Sequence, residues 1–366
     1  MGFQCGIVGL PNVGKSTLFN ALTATQSAEA ANYPFCTIEP NVGRVAVPDP
    51  RLETLAKIAK SEKIIPTQMA FVDIAGLVKG ASQGEGLGNQ FLGHIREVDA
   101  IIHVVRCFQD SDITHVEGTI DPLRDIAIIE TELMLSDLES LEKRIPALEK
   151  KVRGKDEEAT LELSLMKGAL DLLNAGKPAR LLEVKEDEKE AFKRLQLLTS
   201  KPVLYVCNVS EGEAVSGNDF TKKVEAYAET EGAHTVIISA AIEAEVSTLE
   251  SEEDKIDFLK SLGLEETGLN RVIRSGHNLL HLITFFTVGP KEARAWTVHQ
   301  GARAPEAAGV IHSDFERGFI CAETIAFEDY AACQGEAGAR AQGKLRQEGK
   351  NYTTKDGDVF HFRFNV

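Results

Sequence analysis

The chain has no internal repeat, no low-complexity tract, no Cys-x-x-Cys pair and no apolar run long enough to span a bilayer. A membrane-crossing helix needs about 20 consecutive apolar residues, so none is expected. The start, Met1-Gly2-Phe3-Gln4-Cys5, lacks the basic region of a secretory leader, and the apolar stretch after it breaks at Pro11. A cytoplasmic protein without a signal peptide is therefore expected. The six cysteines (Cys5, Cys36, Cys107, Cys207, Cys321, Cys333) are scattered, several within apolar runs. They read as buried reduced thiols rather than a disulfide or zinc framework. Positive charge is also short. Forty Lys plus Arg stand against 56 Asp plus Glu, a formal net charge of −16 over 366 residues. That balance argues against coating nucleic acid by bulk charge, while leaving room for a local basic patch. What is present is a 43% hydrophobic chain, enough for a sizeable core. At about 150 residues per domain the length suggests two or three domains.

Short apolar runs recur at Phe3–Val8, Val42–Val47, Met69–Val72, Ala100–Val105, Val203–Cys207 and Thr235–Ile238, mostly separated by helical stretches. That alternation predicts an α/β fold, a mostly parallel sheet with helices on both faces. The interval 128–198 differs. Met134, Leu138, Leu141, Ile145, Leu148 and Val152 keep heptad spacing, and Leu163, Met166, Leu170 and Leu173 repeat it. An inserted antiparallel helical hairpin is expected, turning near Arg153–Asp156. Two amphipathic helices lying on the sheet are the alternative. Beyond about residue 280, Leu282–Val288 and Ala295–Val298 read as a hairpin around Gly289-Pro290. Phe319–Ile325 and Val359–Phe364 add strands, with one helical stretch, Tyr330–Arg340, between them. The expected organisation is a nucleotide domain of 1–127 with 199–279, an insert of 128–198, and an α+β module of 280–366.

Gly9-Leu10-Pro11-Asn12-Val13-Gly14-Lys15-Ser16 fits G-x-x-x-x-G-K-[ST] between an apolar strand and a helix, which is the context this motif demands. The glycines let backbone N–H groups of Asn12 to Thr17 turn toward phosphate oxygens, and the helix N-terminus adds partial positive charge. Lys15 can reach the β- and γ-phosphates, and the Ser16 hydroxyl can ligate Mg²⁺. Asp73-Ile74-Ala75-Gly76 follows a strand run. Asp73 can hold Mg²⁺ through water, and Gly76 can bring its N–H to the γ-phosphate. Thr37, between the two motifs, can complete the Mg²⁺ shell when its loop closes over a triphosphate. Five glycines between Lys79 and Gly93 suit a switch loop.

With Asn208 and Ser239 following in order, the chain resembles the YchF subgroup of the Obg family, the Obg-like ATPases, over essentially its whole length. The runs Gly9–Phe19, Asn32–Asn41, Asp73–Asn89 and Asp356–Val366 carry most of the resemblance. It implies a P-loop G domain, an inserted coiled-coil hairpin and a C-terminal domain similar to a TGS domain. Related GTPases place Asn-Lys-x-Asp after the strand, and the Asp accepts two guanine hydrogen bonds. Here Asn208-Val209-Ser210-Glu211 stands instead. Losing a bidentate base contact costs about 1–3 kcal/mol, enough to remove guanine preference. ATP over GTP is the resemblance's implication, with Asn208 offered to adenine N6 and N7, Val209 to its face and Ser239-Ala240 to the base-side loop.

The usual water-orienting glutamine after Gly76 is replaced by Leu77, so slow turnover is expected. The resemblance points to the loop holding His115 as a catalytic contributor, with His94 a weaker candidate. Asn12 can help hold a K⁺ ion beside the phosphates, or simply cap the loop. The expected reaction is in-line attack of water on the γ-phosphate of ATP, giving ADP. The resemblance also implies ribosome association. The basic stretch Gln342–Lys350, with Arg340, Lys355 and Arg363 nearby and Tyr352 interleaved, is a candidate RNA face or an ordinary charged surface. A monomer is expected. The alternatives are a GTP-preferring switch, and a regulatory module for which nucleotide is only a ligand.

Overall fold

The computed structural model describes residues 3–30, 41–74, 87–110, 118–154 and 156–365. Thr37, Gly76, Leu77 and His115 lie outside the described residues. The chain forms two compact units: Met1–Val45 with Ala70–Gly276, and Ala46–Met69 with His277–Val366. In chain order come β1 (Gln4–Val8), α1 (Lys15–Ala30), β2 (Val42–Ala46), α2 (Pro50–Ala59), β3 (Lys63–Ile65) and β4 (Gln68–Asp73). Next are α3 (Leu87–Glu97), β5 (Ala100–Arg106), α4 (Pro122–Val152), α5 (Glu157–Asn174) and α6 (Lys189–Arg194). Then follow β6 (Val203–Asn208), α7 (Asp219–Thr230), β7 (His234–Ile238), α8 (Ala240–Thr248), α9 (Glu252–Ser261) and α10 (Gly268–Leu279).

The first unit is built on a sheet of order β2-β4-β1-β5-β6-β7. β1 runs parallel to β4 and β5, β5 to β6, and β6 to β7. Every residue of β5 and β6 is buried, the pattern of parallel strands covered on both faces. The register sets Ile7 beside Asp73, and Asn208 beside Arg106 and Ile238. The carboxyl ends of β4, β5, β6 and β7 thus meet at one edge, where open α/β sheets bind ligands.

α4 starts six residues before the expected insert. Asp121 caps it by accepting from the Leu123 and Arg124 N–H groups, and Pro122 occupies the first turn. Its 31 residues give a length of about 46 Å, and the helix continues through Pro146. Its first half packs on β5 and α7 and buries Ile126, Ile129 and Leu133. Its second half meets α5 along the heptad seam of Leu141, Ile145, Leu148, Met166 and Leu173. The two sequence alternatives therefore each describe one half of the helix. The returning segment buries Ala179, Ala191, Leu195 and Leu197 in the same cluster. Asp137 fastens it, accepting from the Leu198 and Thr199 N–H groups at 2.8 Å and from the Thr199 hydroxyl at 2.7 Å.

The second unit continues with β8 (Leu282–Val288), β9 (Glu292–His299), α11 (Ala304–Ile311), α12 (Ser313–Arg317), β10 (Phe319–Ala326), α13 (Phe327–Ala332), α14 (Glu336–Ala341), β11 (Arg346–Glu348) and β12 (Asp358–Phe364). Its sheet order is β11-β10-β12-β8-β9-β3. The hairpin around Gly289-Pro290 is present as expected. Successive residues of β8 face opposite sides. Phe286 packs with Leu52, Leu55, Ala293, Ile325 and Val359, and Phe285 packs with Val298, Ala304, Ala308, Phe360 and Phe362. Two expectations need correction. Residues 46–69 belong with this unit, because α2 covers one sheet face and β3 pairs in parallel with β9. The single helix at Tyr330–Arg340 is two short ones, broken at Gln334 and Gly335, both at positive φ, and α11 and α12 were not expected.

Candidate functional site

The loop 9–14 leaves β1 and enters α1 at Lys15. Its glycines are dictated by space as well as conformation. A Cβ at Gly9 would lie 2.7 Å from the Val104 carbonyl oxygen. Gly14 has φ +94°, and a Cβ there would overlap the Asn208 amide nitrogen. Asn12 takes the left-handed conformation at φ 63°. The Gly14 carbonyl accepts the Leu18 N–H at 3.0 Å, so the N–H groups before Leu18 head the helix without partners of the helical kind. Ser16 and Thr17 are exposed on that first turn, while Val13 is buried. Lys15 Nζ donates to Asp73 Oδ1 at 3.0 Å, both side chains being mostly buried. Lysine and carboxylate, 58 residues apart in sequence, thus meet at the carboxyl edge of the sheet.

The base-side residues lie beside this loop, with roles that differ from expectation. Asn208, 4% exposed, donates through Nδ2 to the Val13 carbonyl at 2.9 Å and accepts the Ala240 N–H on its side-chain oxygen at 2.9 Å. A bidentate adenine contact needs that oxygen and amide together, so Asn208 is a clamp joining the P-loop, β6 and α8. Val209 is 3% exposed, and its N–H donates to Ile238 O at 2.8 Å. Its side chain is a core residue, which removes it as a platform for the base. Glu211 is exposed at the start of a short 3₁₀ turn, and its carboxylate has no hydrogen bond among the described residues. Ser239 stands at the N-cap of α8 without a capping bond, and its buried Oγ has no partner among the described residues. Ala240 is buried beside it. An orphaned buried hydroxyl beside the P-loop has the character of a ligand-facing group.

Among residues the sequence did not single out, Arg106 closes β5 fully buried. It stacks on Phe108 at 4.6 Å and donates to the Phe108 and Asp110 carbonyls. His103 on the same strand is pushed down to about 3 by burial and by nearby Arg180, so it is neutral. Burial pushes the Cys5 thiol up to about 12, and Cys107 and Cys207 are also buried, as reduced core thiols should be. His94 lies exposed on α3.

The basic stretch of the second unit is largely neutralised. Arg340 pairs with Glu336 at 3.0 Å, Lys344 with Asp329 at 3.0 Å, Arg346 with Glu348 at 3.1 Å and Arg363 with Glu323 at 3.2 Å. Lys350 and Lys355 have no ion-pair partner among the described residues.

A parallel sheet whose first strand turns through G-x-x-x-x-G-K-S into a helix, with an aspartate from a neighbouring strand on the lysine, defines a P-loop nucleotide-binding domain. Residues 4–135 match the family of 50S ribosome-binding GTPases. Residues 282–365 match the YchF-GTPase C-terminal family, described as a protein of unknown function (DUF933). The chain is 57% identical to the ribosome-binding ATPase YchF of Pasteurella multocida and 58% identical to that of Haemophilus influenzae, over all of each chain. The solved YchF GTPase of Schizosaccharomyces pombe is 39% identical with a TM-score of 0.89, covering 99% of this chain and 98% of that one. The chain belongs to the YchF family.

Proposed function

We propose that this chain is a slow, Mg²⁺-dependent ATPase whose nucleotide state switches its binding to the ribosome. The observation that carries the reading is the Lys15–Asp73 contact at the mouth of the P-loop. It holds an ammonium where phosphate oxygens would lie and a carboxylate within reach of a cation. The bacterial relatives at 57% and 58% identity bear the name ribosome-binding ATPase, which supports both halves of the proposal.

In this reading the first-turn N–H groups of α1 bind the β- and γ-phosphates. Lys15 transfers from Asp73 to the γ-phosphate oxygens and stabilises the charge that grows there as water attacks in line. Ser16 and Thr37 would hold Mg²⁺, with Asp73 in its outer shell, and all three offer the hard oxygen donors that this ion takes. Bound there, Mg²⁺ would supply neutralisation of phosphate charge. Gly76 would bring its N–H to the γ-phosphate, His115 would orient the water, and Asn12 would assist a K⁺ ion. At the base, Asn208 positions the loop while Ser239 and the Glu211 carboxylate face the purine rim, with ATP preferred over GTP. A cytoplasmic place of action follows from a ribosomal partner. Among the described residues, no helix is long and apolar enough to cross a membrane.

Multiple-turnover phosphate release with and without ribosomes tests the proposal. Release above that of a Lys15→Ala control is expected, and equality with the control rejects the enzyme reading. Calorimetry with ATP and GTP, alongside Glu211→Asp, tests the base preference. GTP binding much more tightly than ATP would overturn it.

A further inference from the structure

Ion pairing takes most cations of the basic C-terminal stretch out of play, and four further cations of the second unit lie elsewhere. Lys60, Lys63 and Lys291 are exposed, and Arg294 is half-buried. No carboxylate lies within 4 Å of any of the four among the described residues. The fold brings Lys63 and Arg294 onto one sheet face and Lys60 and Lys291 to the adjoining ends of α2 and the β8–β9 turn. The Ser61 hydroxyl donates to Gly289 O at 2.7 Å and the Glu62 N–H to Pro290 O at 2.9 Å, joining the end of α2 to the β8–β9 turn. β3 then pairs with β9, Lys63 beside Glu292 and Ile65 beside Arg294. Residues alternate across a strand, so Lys63, Ile65, Arg294 and Trp296 share one face.

Arg294 is the built feature of this edge. Its guanidinium carbon sits 3.9 Å from the Trp296 ring centroid. The ring is itself held, since Trp296 Nε1 donates to the Thr287 hydroxyl at 2.9 Å. The stack fixes the guanidinium plane and leaves its N–H fork without a carboxylate among the described residues. A pre-oriented Arg of this kind suits bidentate phosphate recognition, and the outer face of its guanidinium suits an unstacked base, the indole being covered by Arg294 and packed beside Phe285. Glu62 and Glu292 are the exposed acids of the same edge, two against four cations, while Glu53 is engaged by Lys57 at 3.8 Å.

We propose that the β3–β9 edge, centred on Arg294 stacked on Trp296, is a contact surface for single-stranded ribosomal RNA. The inference rests on the ribosome-binding reading above and gives that partner a place on the chain. Contact comes through phosphates at Arg294, Lys63, Lys291 and Lys60, with a base stacking on the outer face of the Arg294 guanidinium.

The test uses the full chain, purified ribosomes and a labelled 12-nucleotide oligouridylate. Trp296 is the one tryptophan of the chain, so its fluorescence reports on this edge directly. The oligonucleotide is expected to change that fluorescence, and its affinity, read by anisotropy, should fall with salt by about 0.7 log units per phosphate contact for each tenfold rise in salt. Arg294→Gln should weaken RNA and ribosome binding about tenfold. The double variant Lys63→Glu/Lys291→Glu should weaken both and flatten the salt slope, while Lys350→Glu, outside the edge, changes neither. Unaltered circular dichroism and an unaltered urea midpoint in each variant certify the fold. If the parental chain pellets with ribosomes and both edge variants match it, the inference is overturned while the ribosome reading stands. Variants that lose ribosomes, with a parental chain that ignores the oligonucleotide, would assign the edge to a ribosomal protein and overturn the RNA assignment. A parental chain that ignores ribosomes rejects the functional reading, and the oligonucleotide titration then still decides the edge.

Discussion

The side-chain oxygen of Asn208 accepts the backbone N–H of Ala240 at 2.9 Å while its amide nitrogen donates to the P-loop at Val13. One buried carboxamide therefore ties the phosphate loop to the helix that begins the base-side wall. Asn208→Ala should leave the Ala240 N–H and the Val13 carbonyl unpaired, costing about 1–3 kcal/mol of stability. Because the clamp positions both walls, ATP and GTP affinity should fall together. Urea unfolding and calorimetry measure the two effects, and a selective loss of ATP would instead restore Asn208 as a base contact.

The Lys15–Asp73 pair joins the P-loop lysine to the carboxylate that ends β4. Asp73→Asn keeps an oxygen that can accept from Lys15 but removes the charge opposite a mostly buried ammonium, and should cost about 1–3 kcal/mol. Phosphate release should drop at least tenfold, and chelation of Mg²⁺ should reduce release of the parental chain to the Lys15→Ala level. Unfolding midpoints and release rates with and without chelator check this. A large loss of stability with normal release would make the pair structural.

Much of this architecture is legible in the sequence. The strand runs of the first unit and the β8–β9 hairpin announce themselves through local apolar patterning. The P-loop does so through glycines that only backbone space can explain, as the Asn208 nitrogen beside Gly14 makes plain. What could not be read depends on distant partners. Nothing local in Lys63–Ile65 marks a strand that pairs with Glu292–Arg294, more than 200 residues on. Val209 looks like a base platform from its motif position, yet its burial is decided by the neighbouring β7 strand end. The basic stretch near Arg346 looks like an RNA face until its carboxylate partners, Glu348 and Asp358, are seen beside it.

Arg180 joins the returning segment of the hairpin to the sheet. It is ion-paired to both Glu130 on α4 and Glu231 after α7, with the Tyr205 and Tyr227 hydroxyls donating to the same carboxylates. Burial works against the guanidinium charge, but Glu130, Tyr205 and Glu231 together raise its pKa. Arg180→Met would leave two buried carboxylates facing each other and should cost about 3–5 kcal/mol. Arg194→Met, which breaks an exposed pair with Glu158, should cost less than about 1 kcal/mol. Equal urea midpoints for the two variants would remove the anchoring role of Arg180.

His103 sets a pH dependence with a definite sign. Its folded pKa is depressed to about 3 by burial and by Arg180, against an ordinary value of 6.5. The unfolded chain therefore binds a proton that the folded chain refuses throughout that window. The contribution is fully present above 6.5 and is lost as pH falls toward 3, at about 1.4 kcal/mol per pH unit. Carboxylates add their own acid sensitivity, so the useful quantity is a difference between chains. His103→Gln removes the titrating ring from β5 while keeping a polar side chain. Urea unfolding of parental and variant chains at pH 7.5, 6.5, 5.5 and 4.5 should show the parental stability falling more steeply below 6.5, by close to one proton. Parallel curves would mean that the imidazole is already charged in the fold, and the neutral His103 would have to be abandoned.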